Sequence, residues 1–129
     1  MKNKLPVITA AVITICFFLS CSHHGRRNHG MNISVSESGD SYKLRADYNE
    51  DKTGKVQRYI NRQIAPNGLF ASTEDYFDAN TELRDRTKFY IKASPGKLLI
   101  KLDKKENTYA SYVRIKDMCE GIVTILKEE

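Results

Sequence analysis

Apolar residues recur along this chain with two different periods, and each period predicts a different element. From Phe77 to Leu102 the period is two. Phe77, Ala79, Thr81 and Leu83 alternate with Asp78, Asn80, Glu82 and Arg84, and Thr87, Phe89, Ile91 and Ala93 alternate with Lys88, Tyr90 and Lys92. Leu98, Ile100 and Leu102 then alternate with Lys97, Leu99 and Lys101. Successive side chains of a strand point to opposite faces, so each run reads as a strand with one apolar side. The turns between them are Arg84-Asp85-Arg86 and Ser94-Pro95-Gly96-Lys97, the second with Pro and Gly where a type II turn wants them. Registers drawn from those turns set Glu82 opposite Lys88, Asp78 opposite Lys92, Lys88 opposite Asp103 and Tyr90 opposite Lys101. The other side then carries the rows Ala79-Ile91-Ile100 and Thr81-Phe89-Leu102. Opposite charges meet on one side and hydrophobes on the other, in cross-strand pairs each worth about 0.2–1 kcal/mol.

The same alternation occurs earlier, in Met31, Ile33 and Val35 and in Tyr42, Leu44, Ala46 and Tyr48. A turn at Ser38-Gly39 predicts a hairpin with Val35 facing Tyr42, Ile33 facing Leu44 and Met31 facing Ala46. The second period is helical. Val56, Tyr59, Ile60 and Ile64 form one stripe, with Lys55, Arg58 and Arg62 opposite, Asp51 or Thr53 as cap and Pro66-Asn67-Gly68 as stop. Leu69 and Phe70, in the loop that follows, are expected to tuck back onto the core. Asn107 or Thr108 caps a last helix whose apolar stripe runs through Tyr109, Tyr112, Val113, Ile115, Cys119, Ile122, Val123 and Leu126. Gly121 within it suggests close approach of a neighbouring backbone. The order ββαβββα predicts an α+β fold: an antiparallel sheet of about five strands with two helices on one face and solvent on the other.

Charge changes this picture only after the chain is divided. The 129 residues carry a net charge of +5, yet Lys2, Lys4, Arg26 and Arg27 precede every acidic residue. Without those four the remainder is +1, so overall basicity is weak evidence for nucleic acid. The first residues have a different character. Met1-Lys-Asn-Lys4 is positive, and residues 5–20 are almost wholly apolar. That run is shorter than the roughly 20 residues of a membrane span and suits a signal peptide.

The apolar run ends in Phe18-Leu19-Ser20-Cys21. This resembles the lipobox of bacterial lipoproteins, in which a small residue precedes a cysteine that becomes acylated. The family pattern favours Leu where Phe18 stands and a small residue where Leu19 stands; looser forms of this kind are similar to those of the Bacteroidota. Ser22 resembles the signal for sorting to the outer membrane. The resemblance implies cleavage after residue 20, lipid on Cys21 and retention in the cell envelope at the outer membrane. Residues 21–30 are then a tether and residues 31–129 a single small domain.

Candidate chemistry is sparse. His23, His24 and His29 all lie on the tether, where Arg26 and Arg27 would repel a metal cation. Cys16 leaves with the signal peptide and Cys21 takes lipid, so Cys119 has no disulfide partner and reads as a small core hydrophobe. The carboxylates of Glu74, Asp75 and Asp78 lack calcium-loop spacing and read as a solvated strand end. No cofactor or metal site is expected. The strongest surface feature is the predicted open sheet face, where Lys43, Arg45, Lys88, Tyr90, Lys92, Lys97 and Lys101 project together with Leu99. These features predict a non-catalytic envelope binding or assembly module, held to the membrane by its N-terminal lipid. Its partner would be an envelope protein or an anionic envelope polymer, and not nucleic acid. The alternatives are a small envelope enzyme with its site in the loop 65–80, or an accessory subunit of an envelope complex.

Overall fold

The computed structural model describes residues 30–71 and 76–128. The predicted signal peptide, Cys21, the three histidines, and Glu74 and Asp75 lie outside them. The elements follow the expected order: β1 (Asn32–Glu37), β2 (Ser41–Asp47), α1 (Thr53–Gln63), β3 (Phe77–Glu82), β4 (Lys88–Ser94), β5 (Lys97–Asp103) and α2 (Tyr109–Lys127). All neighbouring strands are antiparallel, in the order β1-β2-β5-β4-β3. The last strand thus inserts between the N-terminal hairpin and the rest of the meander. Leu44, Ile91 and Ile100 from one side of the sheet join Val56, Ile60, Ile115 and Ile122 of the helices in one buried cluster.

The meander takes the registers drawn from its turns. Asp78 faces Lys92, Ala79 faces Ile91 and Glu82 faces Lys88, while Ile91 faces Ile100 and Tyr90 faces Lys101. At the first turn Arg86 N donates to Leu83 O, and Arg86 takes φ 74°, the left-handed residue that closes this class of three-residue loop. The β4–β5 ladder runs only from Tyr90↔Lys101 to Ser94↔Lys97, so the expected Lys88–Asp103 and Phe89–Leu102 oppositions are not part of it, and a side chain takes over at the strand end. The Asn107 amide accepts from Lys88 N at 2.8 Å and donates to Lys88 O at 3.0 Å, doing a peptide's work at the strand end.

The first hairpin differs from expectation. Glu37 faces Tyr42, Val35 faces Leu44 and Ile33 faces Ala46, a register two residues away from the predicted one. Ser38 N donates to Ser41 O, and Ser38 Oγ accepts from both Asp40 N and Ser41 N, so Gly39-Asp40 occupies the centre of the turn. Moving a turn centre by one residue moves the register by two, which leaves every side chain on its expected face. The apolar side of β1 is nevertheless poorly covered, because β1 lies at the sheet edge: Val35 is 51% exposed and Met31 46%.

Helix ends also depart from the sequence reading. Neither Asp51 nor Thr53 caps α1; Asn49 accepts from Asp51 N and starts a 3-10 turn that runs into the helix. Thr108 does cap α2, accepting from Ser111 N. The buried stripe of α2 is Ser111, Ile115, Met118, Cys119, Ile122 and Leu126, while Tyr109 stands 77% exposed. Ser111 is buried because its hydroxyl accepts from Thr87 Oγ1 at 2.7 Å across to the sheet. Gly121 does mark a close approach, but to a side chain: a Cβ there would lie 1.8 Å from the Tyr59 hydroxyl. Leu69 and Phe70 tuck inward as expected, held by Asn61, whose Oδ1 accepts from both backbone amides.

One junction locks the halves together. Gly96, at φ 77°, donates its N–H to the buried Thr53 hydroxyl at 2.8 Å, and its carbonyl accepts from Tyr48 N at 2.9 Å. A Cβ on residue 96 would sit 2.9 Å from the Tyr48 carbonyl oxygen. Gly96→Ala is therefore expected to cost about 2 kcal/mol or more, from left-handed strain plus a backbone clash. Thr53→Val, which leaves a buried amide unpaired, should cost about 1–3 kcal/mol. Urea melts of both variants test this; a Gly96→Ala midpoint equal to that of the parent would refute it.

Candidate functional site

The side of the sheet away from the helices has no covering element among the described residues. Its side chains form rows fixed by the strand registers. One row runs Ser34-Arg45-Leu99-Lys92-Asp78 across all five strands, and the next runs Ser36-Lys43-Lys101-Tyr90-Asn80. Each predicted face residue, Lys43, Arg45, Lys88, Tyr90, Lys92, Lys97 and Lys101, lies on this side, with Lys43, Tyr90 and Leu99 half-buried and the others exposed. In these rows Leu99 lies between Arg45 and Lys92, and Lys101 lies between Lys43 and Tyr90.

The acids nearest these cations are engaged elsewhere. Asp47 pairs with Lys97 at 3.4 Å, and Glu82 is 3.9 Å from Arg86. Asp103 accepts from Lys105 N at 2.8 Å to begin a 3-10 turn. Asp78, opposite Lys92 in register, accepts instead from the Tyr90 hydroxyl at 2.6 Å, a bond that raises the Tyr90 pKa above its ordinary value. The expected opposition of charges is therefore present in register, while Lys43, Arg45, Lys92 and Lys101 form no ion pair among the described residues. Lys101 lies 5.7 Å from the centroid of the Tyr90 ring. Lys43 and Lys101 face each other directly on adjacent strands, an arrangement that works against folding.

A broad hollow of about 1040 Å³ opens on the same face, bordered by Tyr90, Lys92, Leu99 and Lys101 on one side and by Glu82, Asp103 and Glu106 on the other. Lys88 and Lys105 stand among those acids, so the far side of the hollow carries charges of both signs. Among the described residues no group of three or more His, Cys, Asp or Glu side chains is placed to hold a metal ion, and no helix is long and apolar enough to cross a membrane. Cys119 is fully buried on α2, and burial pushes its thiol up to about 12.

A second polar cluster was not anticipated in the sequence. The Glu37 carboxylate, at the end of β1, accepts from Lys104 Nζ at 2.8 Å and from the Tyr112 hydroxyl, with Lys116 Nζ 3.7 Å away. Hydrogen bonds from Lys104 and Tyr112, with the two ammonium charges, bring the Glu37 pKa down to about 2. Its partners lie 67–79 residues further along the chain and share no local spacing with it. Beside it Val35, Tyr42 and Val123 line a groove of about 220 Å³ between β1 and α2. Comparison of the chain with protein-family models, curated proteins and solved structures gives no match.

A depressed carboxylate pKa contributes stability above its unfolded value, near 4.5, and loses that contribution as pH falls towards 2. Glu37→Gln should thus be less stable than the parent at pH 7, with the difference shrinking between pH 5 and pH 2. Thermal melts across that range check this, and a difference independent of pH would contradict it.

Proposed function

We propose that this chain is a cell-envelope lipoprotein whose domain is a non-catalytic binding or assembly module, offering its open sheet face to an anionic partner. The observation that carries the binding part is the cluster of Lys43, Arg45, Lys92 and Lys101, which among the described residues has no carboxylate partner and no covering element. Like charges on neighbouring strands oppose folding, and an anionic partner relieves that repulsion on binding. Leu99, between Arg45 and Lys92, and Tyr90, beside Lys101, supply apolar contact area of the kind that a purely solvated face does not need.

The anchoring part rests on the resemblance of residues 18–21 to a lipobox after an apolar run. One acyl chain holds a protein to a bilayer only marginally, so stable attachment takes more than one. In this reading the outer-membrane address follows from Ser22, and the domain meets its partner in the two-dimensional concentration of the envelope. An enzyme with a site in the loop 65–80 is the weaker reading. Phe70 and Phe77, either side of residues 72–75, face one another edge to face 5.8 Å apart in the hydrophobic core.

Two experiments test the proposal. Metabolic labelling with an acyl-chain analogue should mark the wild-type chain and not Cys21→Ser; label that persists in the variant removes the lipoprotein assignment. Crosslinking in the native envelope should capture partners that Lys92→Glu with Lys101→Glu loses, at unchanged expression and with no loss of melting temperature, since Lys101→Glu also relieves the repulsion from Lys43. An identical crosslinking pattern for that double variant would reject the basic face as the contact surface.

A further inference from the structure

We infer that this chain pairs with a second copy of itself. β1 joins β1 of the other copy, antiparallel about a two-fold axis at Ser34, and Met31 of each copy enters the groove between β1 and α2 of the other. β1 is an edge strand, and among the described residues nothing pairs with its outer side. Ser38 N donates to Ser41 O, which makes Ser38–Ser41 a hydrogen-bonded pair of the first hairpin. Bonded and non-bonded pairs alternate along an antiparallel ladder. Ser36, Ser34 and Asn32 therefore bond to β2, while Glu37, Val35 and Ile33 turn their amides and carbonyls outward. Those outward groups are a template for another strand. β1 has none of the usual guards against one: no lysine, no proline and no bulge in its ladder.

Self-pairing about Ser34 satisfies that phase. It opposes Ile33 with Val35 of the second copy, and Met31 with Glu37, as hydrogen-bonded pairs along all of β1 before its turn. Directly opposed residues share a face, so the helix side of one copy continues into the helix side of the other. On the open side Asn32 meets Ser36 and Ser34 meets Ser34, all of them neutral, and no like charges face each other. The opposite edge of the sheet is guarded against the same arrangement. β3 paired with itself about Asn80 would set Asp78 directly against Glu82 of the second copy. Pairing of β1 with β3 of another copy would leave an edge free at each end, and so would grow rather than close.

Side chains supply the second observation. Met31 and Val35 are large apolar groups on the helix side of β1 that stand exposed in the single copy. The groove of about 220 Å³ beside them is lined by Val35, Tyr42 and Val123 with Glu37, Lys116 and Glu120. In the register about Ser34, Met31 of the second copy stands opposite Glu37, at that groove. Its unbranched, adaptable side chain suits an irregular apolar gap. By symmetry each copy gives one methionine and receives one, the self-complementary pattern of a two-fold interface. The sheet then runs on through both copies with their basic faces on one side, so the pairing is compatible with binding at that face and does not rest on it.

The test uses the full-length chain in isolated cell envelopes, with single introduced cysteines as probes and a non-reducing gel as readout. Ser34 lies at the axis in a non-hydrogen-bonded pair, where facing Cα atoms are about 4.5 Å apart and within disulfide range. Under mild oxidation Ser34→Cys should give about tenfold more covalent dimer than Asn32→Cys, whose two copies lie roughly 13 Å apart along the strands. The parent chain sets the background from its own cysteines. Co-expressed Asn32→Cys and Ser36→Cys chains, opposed in this register, should crosslink to each other. Val35→Pro removes an outward donor and spares the β1–β2 ladder, and Val35→Lys brings like charges beside the axis. Either one, added to Ser34→Cys, should cut the dimer to background, with thermal melts showing that the variant is folded. Sedimentation of the detergent-solubilised parent should give the mass of two chains. A single-chain mass, assemblies beyond two chains, or a Ser34→Cys yield no higher than that of Asn32→Cys overturns the inference. So does a Ser34→Cys product with the mass of a different protein, or a dimer that survives both Val35 substitutions. The crosslink should persist in Lys92→Glu with Lys101→Glu; its loss there would overturn β1 as the interface, whatever becomes of the basic-face reading.

Discussion

The pairing of β5 with β2 is the constraint on which the rest of this fold depends. Without it the chain is two pieces, an N-terminal hairpin followed by a helix and a C-terminal meander followed by a helix, each with an apolar side and nothing to set against the other. β5 is the last strand made, yet it takes a central place, between the first hairpin and its own meander. The long-range ladder from Ser41↔Asp103 to Asp47↔Lys97 brings together residues some fifty or more positions apart. Its far end is secured by Gly96, whose amide and carbonyl reach Thr53 and Tyr48, so a single tight turn fixes the end of β2, the start of α1 and the beginning of β5. At the near end Lys104 N donates to Asp40 O, joining the first hairpin's turn to the exit of β5. With both ends fixed, both helices are brought to one side. Arg114 then links α2 to the β3–β4 turn through Asp85 at 2.7 Å and to the end of α1 through the Gln63 carbonyl.

What was legible in the sequence, and what was not, follows from the range of the interactions concerned. Alternation decides which face a residue takes, and every strand residue took its expected face. Register needs the turn, and turns differ in how strongly their residues dictate geometry. Pro95-Gly96 permits one arrangement, because Gly96 must be left-handed and Pro95 fixes φ. Ser38-Gly39-Asp40 permits several, and the choice is made by the Ser38 hydroxyl accepting two amides, a local contest that side-chain pattern does not record. Caps failed where a residue had a longer-range use. Thr53 is a reasonable N-cap by type, yet its hydroxyl serves Gly96, and Asn49, four residues earlier, starts the helix through a 3-10 turn. The α2 stripe was read by hydrophobicity alone, so it admitted Tyr109 and missed Ser111, a polar residue that is buried because Thr87 bonds it.

The sheet face was legible residue by residue, since each of its members was placed by alternation, but its electrostatics were not. Sequence pairing set Asp78 against Lys92 and Glu82 against Lys88 and so implied a neutralised surface. In the fold, opposition across strands is not contact. Asp78 takes the Tyr90 hydroxyl, a rigid donor two positions away in the neighbouring row, in preference to a flexible lysine that would lose more side-chain entropy on being held. Asp103 spends its carboxylate on the backbone of the turn that follows it. Each of these choices is local and small, and together they leave four cations on the face without an ion pair among the described residues. The Lys43–Lys101 opposition was also hidden from the sequence, because it arises only from the β2–β5 ladder between segments with no local connection.

The β2–β5 ladder ties the surface to the core. Because β5 lies in the middle, its outward residues Leu99 and Lys101 sit between Arg45 and Lys43 on one side and Lys92 and Tyr90 on the other. Had β5 stayed at the edge of its meander, the cations of β2 would belong to a separate sheet and no cluster would exist. The ladder that assembles the hydrophobic side is therefore the same one that concentrates positive charge on the polar side, and neither face can be rearranged alone. A one-residue slip of β5 would put Leu98 and Ile100 into solvent and Leu99 and Lys101 against the helices, so core packing enforces the charge pattern at single-residue precision. The repulsion between Lys43 and Lys101 is tolerated for the same reason: apolar burial across β2, β5 and β4 outweighs it many times over. A chain of nearly balanced charge beyond its first 30 residues can in this way carry a strongly signed surface.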